Sequence, residues 1–124
     1  DVNWAIAAPR YIQHAQLPSF FTLITLQHLL ELPVDEDIDF KTFADSLIKK
    51  SSLVWSIENQ KTARIILHSL IENTVIIPQL EFGILETIYQ PHEKYGKSHT
   101  QLTHIKINKF GHGLLKTLQE IVFL

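Results

Sequence analysis

Several absences narrow the range of proteins that this sequence can encode. Cysteine is missing altogether, which excludes disulfides and cysteine-ligated zinc sites. A chain without cysteine suits a reducing compartment. Apolar runs of the roughly 20 residues needed to cross a bilayer are missing too, since polar residues interrupt the most apolar stretch, 20–32. We therefore expect a cytoplasmic protein without a membrane span.

Methionine is also absent, although translation begins with one. We therefore expect that Asp1 is not the native start and that these 124 residues are part of a longer chain. Their number suits one domain. A content of 45% hydrophobic and 19% charged residues is typical of a globular protein. We expect an N-terminal extension over 1–18 and a single globular domain over 19–124.

Motifs that carry enzyme chemistry are missing as well. The four glycines form no phosphate-binding loop, and there is neither a Gly-x-Ser-x-Gly motif nor a cysteine nucleophile. The seven histidines include no i, i+4 pair and no His-Glu-x-x-His motif. We expect a protein that is not an enzyme and holds no metal or cofactor. One alternative stays open, in which His92, His99 and Glu93 assemble by folding into a metal or pH sensor.

Charge is distributed unevenly along the chain. The net charge is −2, yet residues 1–40 contain one base and six acids, or −5, and residues 41–124 contain ten bases and seven acids, or +3. A basic half favours a nucleic-acid partner, whereas the low overall charge is unusual for one.

Apolar periodicity predicts two helices in the first half of the chain. The first runs from about Ser19, a candidate N-cap, to Leu32, because Pro33 prevents continuation. Its apolar residues cover more than one face, so we expect it to be buried by the fold or in part by another chain. Asp39 is the expected N-cap of a second helix, from Phe40 to about Lys50. The segment 2–16 is expected to form short helical pieces.

The second half predicts a helix, a hairpin and a final helix. After a turn over 51–57, a third helix spans about 58–73, and rotation by about 100° per residue separates its apolar face from an outer face. Beyond Pro78, strands are expected over 82–90 and 102–108, joined by a polar tip over 91–101. Asn108 is the expected cap of a last helix, Lys109 to Val122.

The order helix, helix, turn, helix, hairpin, helix is similar to that of the winged helix-turn-helix family. The resemblance covers about 19–108, and Phe-Gly-His-Gly-Leu-Leu at 110–115 resembles the entry into the final helix of bacterial winged-helix regulators. The turn over 51–57 is longer than the three or four residues usual between such helices. The expected fold is mainly α with a small β-hairpin, a winged helix-turn-helix with extra N- and C-terminal helices.

The resemblance implies that the third helix enters the major groove of double-stranded DNA and that the hairpin tip contacts the backbone. The protein would then be a transcriptional regulator or a mobile-element or plasmid protein. Side chains on the third helix that can contact bases are Asn59, Gln60, Lys61, Arg64, Ile65 and His68. Side chains expected at the phosphates are Lys49, Lys50, Ser51 and Ser52, with Lys94, Lys97 and Lys106 from the hairpin.

A second interpretation uses the same fold as a protein–protein interaction module inside a larger assembly, without direct DNA contact. The acidic first third, a pI near 6.4 and an exposed Ile65 favour it. In either case, a homodimer through the first and last helices is a further expectation.

Overall fold

The computed structural model describes residues 15–16, 21–52, 54–55, 59–94 and 97–122, and describes the backbone alone at 15–16, 54–55, 60, 92–94, 97–99 and 122. In chain order the described elements are β1 Ala15–Gln16, α1 Phe21–Leu30, β2 Ile38–Asp39, α2 Phe40–Ser51, β3 Val54–Trp55, α3 Gln60–Ile71, a π-helical segment Glu72–Ile76, α4 Ile77–Glu81, β4 Leu85–Lys94, β5 Lys97–Ile107 and α5 Lys109–Val122.

Helix α1 is buried by the fold itself. Of its ten residues only Gln27 is exposed, and Phe21, Leu26 and Leu29 are buried in the core. Of the two expectations for this helix, burial within the domain is therefore correct for the side chains described. The expected cap, Ser19, lies outside the described residues.

Helix α2 begins and ends where local chemistry predicts. The side chain of Asp39 accepts a hydrogen bond from the Thr42 N–H at 2.9 Å, which confirms the predicted N-cap. At the other end Ser52 adopts the left-handed conformation, with φ 53°, and its N–H donates to the Ile48 and Lys49 carbonyls. Phe43, Ala44 and Leu47 then face the core.

The third helix is longer than the sequence predicted. It does not end near Asn73, because α3 continues through the π-helical segment into α4 and ends at Glu81. Pro78 lies in the first turn of α4, directly after the π-helical segment. Proline lacks the N–H that an α-helical interior uses, and its ring clashes with the preceding turn. The π-helical segment gives that preceding turn a different hydrogen-bond spacing. Pro78 therefore does not terminate the helix.

A three-stranded antiparallel sheet has the order β2–β5–β4. The short strand β2 lies directly before α2 and pairs with β5, so it joins the hairpin to the first half of the chain. The hairpin corrects the predicted tip over 91–101, because pairing continues up to Lys94 and Lys97. Pro91 is tolerated in β4 because that strand lies at the sheet edge.

Strands β1 and β3 correct two further expectations. Ala15 pairs with Trp55 and Gln16 with Val54, so these residues are neither helical nor in an unstructured turn. The remainder of the segment 2–16 lies outside the described residues. The pairing connects residues about 40 positions apart in the chain, which periodicity within one window does not reveal.

The core lies between α1, α2, α3 and the sheet. Its fully buried side chains include Leu29, Leu47, Leu70, Ile71, Leu85, Ile105 and Ile107. The domain is thus mainly helical with a small antiparallel sheet. Among the helices in the described ranges, none is long and apolar enough to cross a membrane.

Candidate nucleic-acid interface

Helix α3 presents the outer face that the sequence predicted. Lys61, Arg64 and Ile65 are exposed, and Ile65 keeps 54% of its surface accessible. On the opposite face Ala63, Leu67 and Leu70 are buried. The alternation follows the 3.6-residue period of an amphipathic helix. The basic and apolar outer side chains are therefore available to a partner.

The start of α3 is fixed by a cap. Asn59 Oδ1 accepts hydrogen bonds from the Lys61 N–H at 3.1 Å and the Thr62 N–H at 3.2 Å. Asn59 therefore serves the helix as its N-cap, and its carbonyl oxygen is occupied by backbone donors. The side chain of Gln60, a predicted neighbour of Asn59 at the interface, lies outside the described residues.

A cluster of three charged or titratable side chains connects α2 to α3. Arg64 donates from Nε to Asp45 Oδ1 at 3.1 Å and from Nη2 to Asp45 Oδ2 at 2.8 Å. His68 Nε2 donates to Asp45 Oδ1 at 2.6 Å. The ring of His68 also meets Phe40 edge-on, with 5.9 Å between centroids. Asp45 thus orients two side chains of α3 at once.

The electrostatics of this cluster follow from its geometry. The Arg64 hydrogen bond, supported by that of His68, lowers the pKa of Asp45 from 3.8 to about 2, against the opposing effect of partial burial. Asp45 in turn raises the pKa of Arg64. Both partners of the Arg64–Asp45 pair are about half exposed, so the pair stabilises the fold little. Its main effect is to hold the guanidinium in one place.

A groove of about 340 Å³ lies beside this cluster, between α2, α3 and the hairpin. At its α3 end, Glu72 accepts a hydrogen bond from the Tyr89 hydroxyl at 3.1 Å. Burial, with the charge of Glu72, raises the pKa of Tyr89 to about 12. The lining combines charged and apolar side chains: Phe40, Lys41, Arg64, Ile65, His68, Ser69, Glu72, Gln101 and Leu102.

The hairpin and α3 form the two walls of this face. Lys94 and Lys97 form the last described register pair of the hairpin, although their side chains are outside the described set. Lys106 is not at the tip. It pairs in register with Glu86 near the hairpin base, nine residues from Lys97, or about 30 Å along the strand.

The residues expected to hold phosphates at the end of α2 have other partners. Lys50 donates to Glu31 at 2.8 Å and to Nδ1 of His28 at 3.4 Å, so it faces α1. Ser51 is 2% exposed and donates its hydroxyl to the Leu47 carbonyl at 2.7 Å, so it is not accessible to a phosphate. Lys49 and Ser52 are exposed.

Asp45, Lys41 and the Glu72–Tyr89 pair were not predicted from the sequence. Lys41 and Glu72 line the groove, and Asp45 holds the two α3 side chains beside it. No local pattern identifies Asp45, because its partners are 19 and 23 residues away. The one available indication in the sequence was that Asp45 lies on the outward side of α2.

Metal ligands do not gather in the described part of the chain. Among the side chains that are described, no group of three histidine, aspartate or glutamate residues can hold an ion. His92 and His99 are register partners in the hairpin, and their side chains lie outside that set. The metal or pH sensor alternative therefore stays a prediction.

Comparison with known proteins yields no relative. No protein-family description, curated protein sequence or solved structure matches this chain.

Proposed function

We propose that this is a winged helix-turn-helix domain that binds double-stranded DNA, in a transcriptional regulator or a mobile-element or plasmid protein. Helix α3 would lie in the major groove and the hairpin tip would contact the backbone. The observation that carries the proposal is the arrangement of α2, α3 and the hairpin around one open face. The short strand β2, paired to the hairpin, supports the same topology.

The dimensions of the two walls suit a duplex. Helix α3 has 12 residues and is about 18 Å long, and its diameter of about 10–12 Å fits a major groove about 12 Å wide. Beyond the Tyr89–Leu102 pair the hairpin continues for five register pairs, or about 16 Å. That length carries the Lys94–Lys97 pair away from the base of the sheet to the hairpin tip. Phosphate contacts beside α3 would require lysines at this tip.

Asp45 orients Arg64 and uses only part of its hydrogen-bonding capacity. A guanidinium has five N–H donors, and the fork with Asp45 uses two of them. The remaining donors suffice for a bidentate contact to the O6 and N7 of a guanine. Because Asp45 fixes the guanidinium, less side-chain entropy is lost on binding. Arg64 is therefore the proposed base-reading residue, and Lys61 the proposed phosphate contact beside it.

The test is a titration of the full 124-residue chain against a labelled random-sequence duplex of about one helical turn, from about 50 mM to about 200 mM salt. Binding should weaken linearly on a log–log plot, with a slope of about −0.9 for each phosphate contacted. Lys61→Glu combined with Arg64→Glu should lower the affinity at least about tenfold and reduce the magnitude of the slope.

A matched control is Lys109→Glu combined with Lys116→Glu. This pair reverses the same number of charges on α5, which packs on α1. It should leave binding to the short duplex nearly unchanged. Far-UV circular dichroism should show that both double variants stay folded. Equal losses in the two variants would indicate that net charge, rather than the α3 face, governs binding. Absence of binding by the parent chain at low salt would overturn the proposal.

A protein–protein interaction module is the second candidate. One observation favours it: the Asp45 carboxylate neutralises the charge of Arg64, while the adjacent Ile65 is 54% exposed. Such a face is less attractive to phosphate and more apolar than DNA-binding faces usually are. If DNA binding fails, Ile65→Glu should abolish capture of the partner protein while leaving the fold intact.

A further inference from the structure

The Asp45 carboxylate is anchored by the domain itself. His68 donates from Nε2 to Asp45 Oδ1 at 2.6 Å, and the side chain of His68 is 12% exposed. The buried ring of Phe40 packs edge-on against that of His68, with 5.9 Å between centroids. Asp45 is therefore held from the interior side of the cluster, while 44% of its own side chain stays accessible.

The pair that Asp45 forms with Arg64 determines which donors of the guanidinium stay free. Asp45 occupies one side of the guanidinium, because it accepts from Nε at 3.1 Å and from Nη2 at 2.8 Å. The remaining donors are the two N–H groups on Nη1 and the second one on Nη2, which lie together at the end of the side chain. Two such donors match the O6 and N7 of a guanine, and they also match two oxygens of a phosphate.

Charge separates guanine from phosphate as a ligand of Arg64. A phosphate at the free end of the guanidinium would bring a second negative charge close to the Asp45 carboxylate, and like charges repel. A guanine edge offers two acceptors without net charge, so it forms both hydrogen bonds without that repulsion. The Arg64–Asp45 pair therefore suits a neutral base edge better than it suits the DNA backbone.

Two other bases of this face have no such acidic partner. Lys41 lies four residues before Asp45 and so on the same side of α2, and Lys61 lies one turn before Arg64 on α3. Both lysines are exposed, and neither forms an ion pair with another described side chain. They are available for phosphates, whose attraction to bases does not depend on sequence. The face thus divides its bases between backbone contact and base reading.

We propose that Asp45 makes this face selective for guanine, because it excludes phosphate from Arg64 and restricts Arg64 to the O6 and N7 edge of a guanine in the major groove. Asp45 acts through Arg64 and is a positioning residue. The inference rests on the proposed DNA-binding function, and it adds the base that is read and the residue that enforces the choice. Removing the carboxylate should raise the affinity for duplex of any sequence and lower the preference for guanine.

The experiment compares the full 124-residue chain with Asp45→Asn, which removes the charge and keeps the shape of the side chain. The parent chain first selects a sequence from a random duplex pool of about one helical turn. Each guanine of that sequence is then replaced in turn by 7-deazaguanine, which lacks the N7 acceptor. At one guanine the parent should lose affinity about tenfold, and Asp45→Asn less than about threefold.

Affinity for the unselected pool gives the second readout. Asp45→Asn should bind the pool more tightly than the parent does, with a log–log salt slope steeper by about 0.9, the value for one additional phosphate contact. A residue that merely supported the fold would not raise this affinity. Asp45→Ala, which also lacks the charge, should behave in the same way.

Two controls separate this role from general effects of charge. Glu120→Gln removes an equal charge from the exposed surface of α5 and should leave the loss on 7-deazaguanine at the parent's value. Arg64→Ala should abolish the guanine dependence by itself. Adding Asp45→Asn to Arg64→Ala should change that dependence no further, because the effect passes through Arg64.

The outcomes distinguish this inference from the proposed function. If Asp45→Asn retains the guanine dependence of the parent, or loses affinity for all duplexes equally with an intact circular dichroism spectrum, the inference is overturned and DNA binding stands. Binding by the parent without dependence on any guanine has the same consequence. Absence of binding by the parent at low salt overturns the proposed function, and this inference with it.

Discussion

Two glycines of α5 offer a matched test of how the final helix is attached to the domain. Gly111 is buried, and a Cβ built on it would overlap the carbonyl oxygen of Ile84 and lie 2.7 Å from the Cα of that residue. Gly113, two positions further along the helix, is exposed and has nothing within 4 Å of such a Cβ. The neighbour of Gly111 is backbone, which a rotamer change cannot move aside.

The expected magnitudes separate the two positions. Replacing a helical glycine by alanine favours the helix by about 0.8–1 kcal/mol at either position. At Gly111 the overlap adds a steric cost of about 1–3 kcal/mol, typical of overpacking in a well-packed site. Gly113→Ala should therefore raise the free energy of unfolding, and Gly111→Ala should lower it or leave it nearly unchanged. The difference between the variants is the steric cost, because the helix propensity is common to both.

Urea denaturation followed by circular dichroism measures this difference. The two variants should differ by about 1–3 kcal/mol with similar m-values. Gly111→Ala should also loosen the Asn108 contacts, since the Gly111 N–H donates to Asn108 Oδ1 at 2.6 Å and Asn108 binds the Gly83 carbonyl. Equal stabilisation by the two alanines would refute the close approach of α5 to Ile84.

Three further predictions concern single side chains. Thr25 is 1% exposed and its hydroxyl has no hydrogen-bond partner in the described part of the chain, so Thr25→Val should raise the free energy of unfolding by about 1 kcal/mol in urea titrations. Burial lowers the pKa of His28 from 6.5, so the unfolded chain binds the proton first. Stability should be full above pH 6.5, fall as the pH drops below it, and lose that dependence in His28→Gln. Asn59→Ala should cost about 1 kcal/mol by removing the α3 cap, whereas Asn59→Asp should retain most of it; equal losses would contradict the capping role.

Helices whose caps and apolar stripes are set by neighbouring residues could be predicted from the sequence. Asp39 identified the start of α2, and Asn108 with the stripe beyond it identified α5, which spans Lys109 to Val122 as expected. A cap acts through hydrogen bonds within about three residues, so its residues suffice to place it. The outer face of α3 was likewise predictable, because helical rotation alone determines which side chains share a face.

Features that depend on distant partners could not be predicted. The pairing of β1 with β3 joins two short segments whose sequences carry no alternation. The continuation of the third helix past Pro78 depends on a π-helical segment, and its buried Thr74 and Val75 show that tertiary packing decides its position. The hairpin is longer than predicted, because the strands stay paired beyond Pro91 although the residues there are polar. Backbone hydrogen bonds, rather than apolar side chains, extend a two-stranded ribbon of this kind.

In the candidate site, too, features set by one helix could be predicted, whereas features that depend on a second helix could not. Sequence placed Arg64 and His68 on one outer face, and the structure confirms that Arg64 is exposed there. Their common partner Asp45 belongs to another helix, and the distance between them depends on how α2 and α3 pack. The charge of the face is consequently lower than a count of its bases implies.

That lower charge makes a quantitative prediction for the proposed DNA-binding face. Among the described side chains, Arg64 is paired to Asp45, which leaves Lys61 on α3 and Lys41 beside the groove as the exposed bases outside an ion pair there. The domain should therefore bind a short duplex weakly and with a shallow salt dependence. A salt slope as steep as that of a protein with about six to ten phosphate contacts would contradict this account of the face.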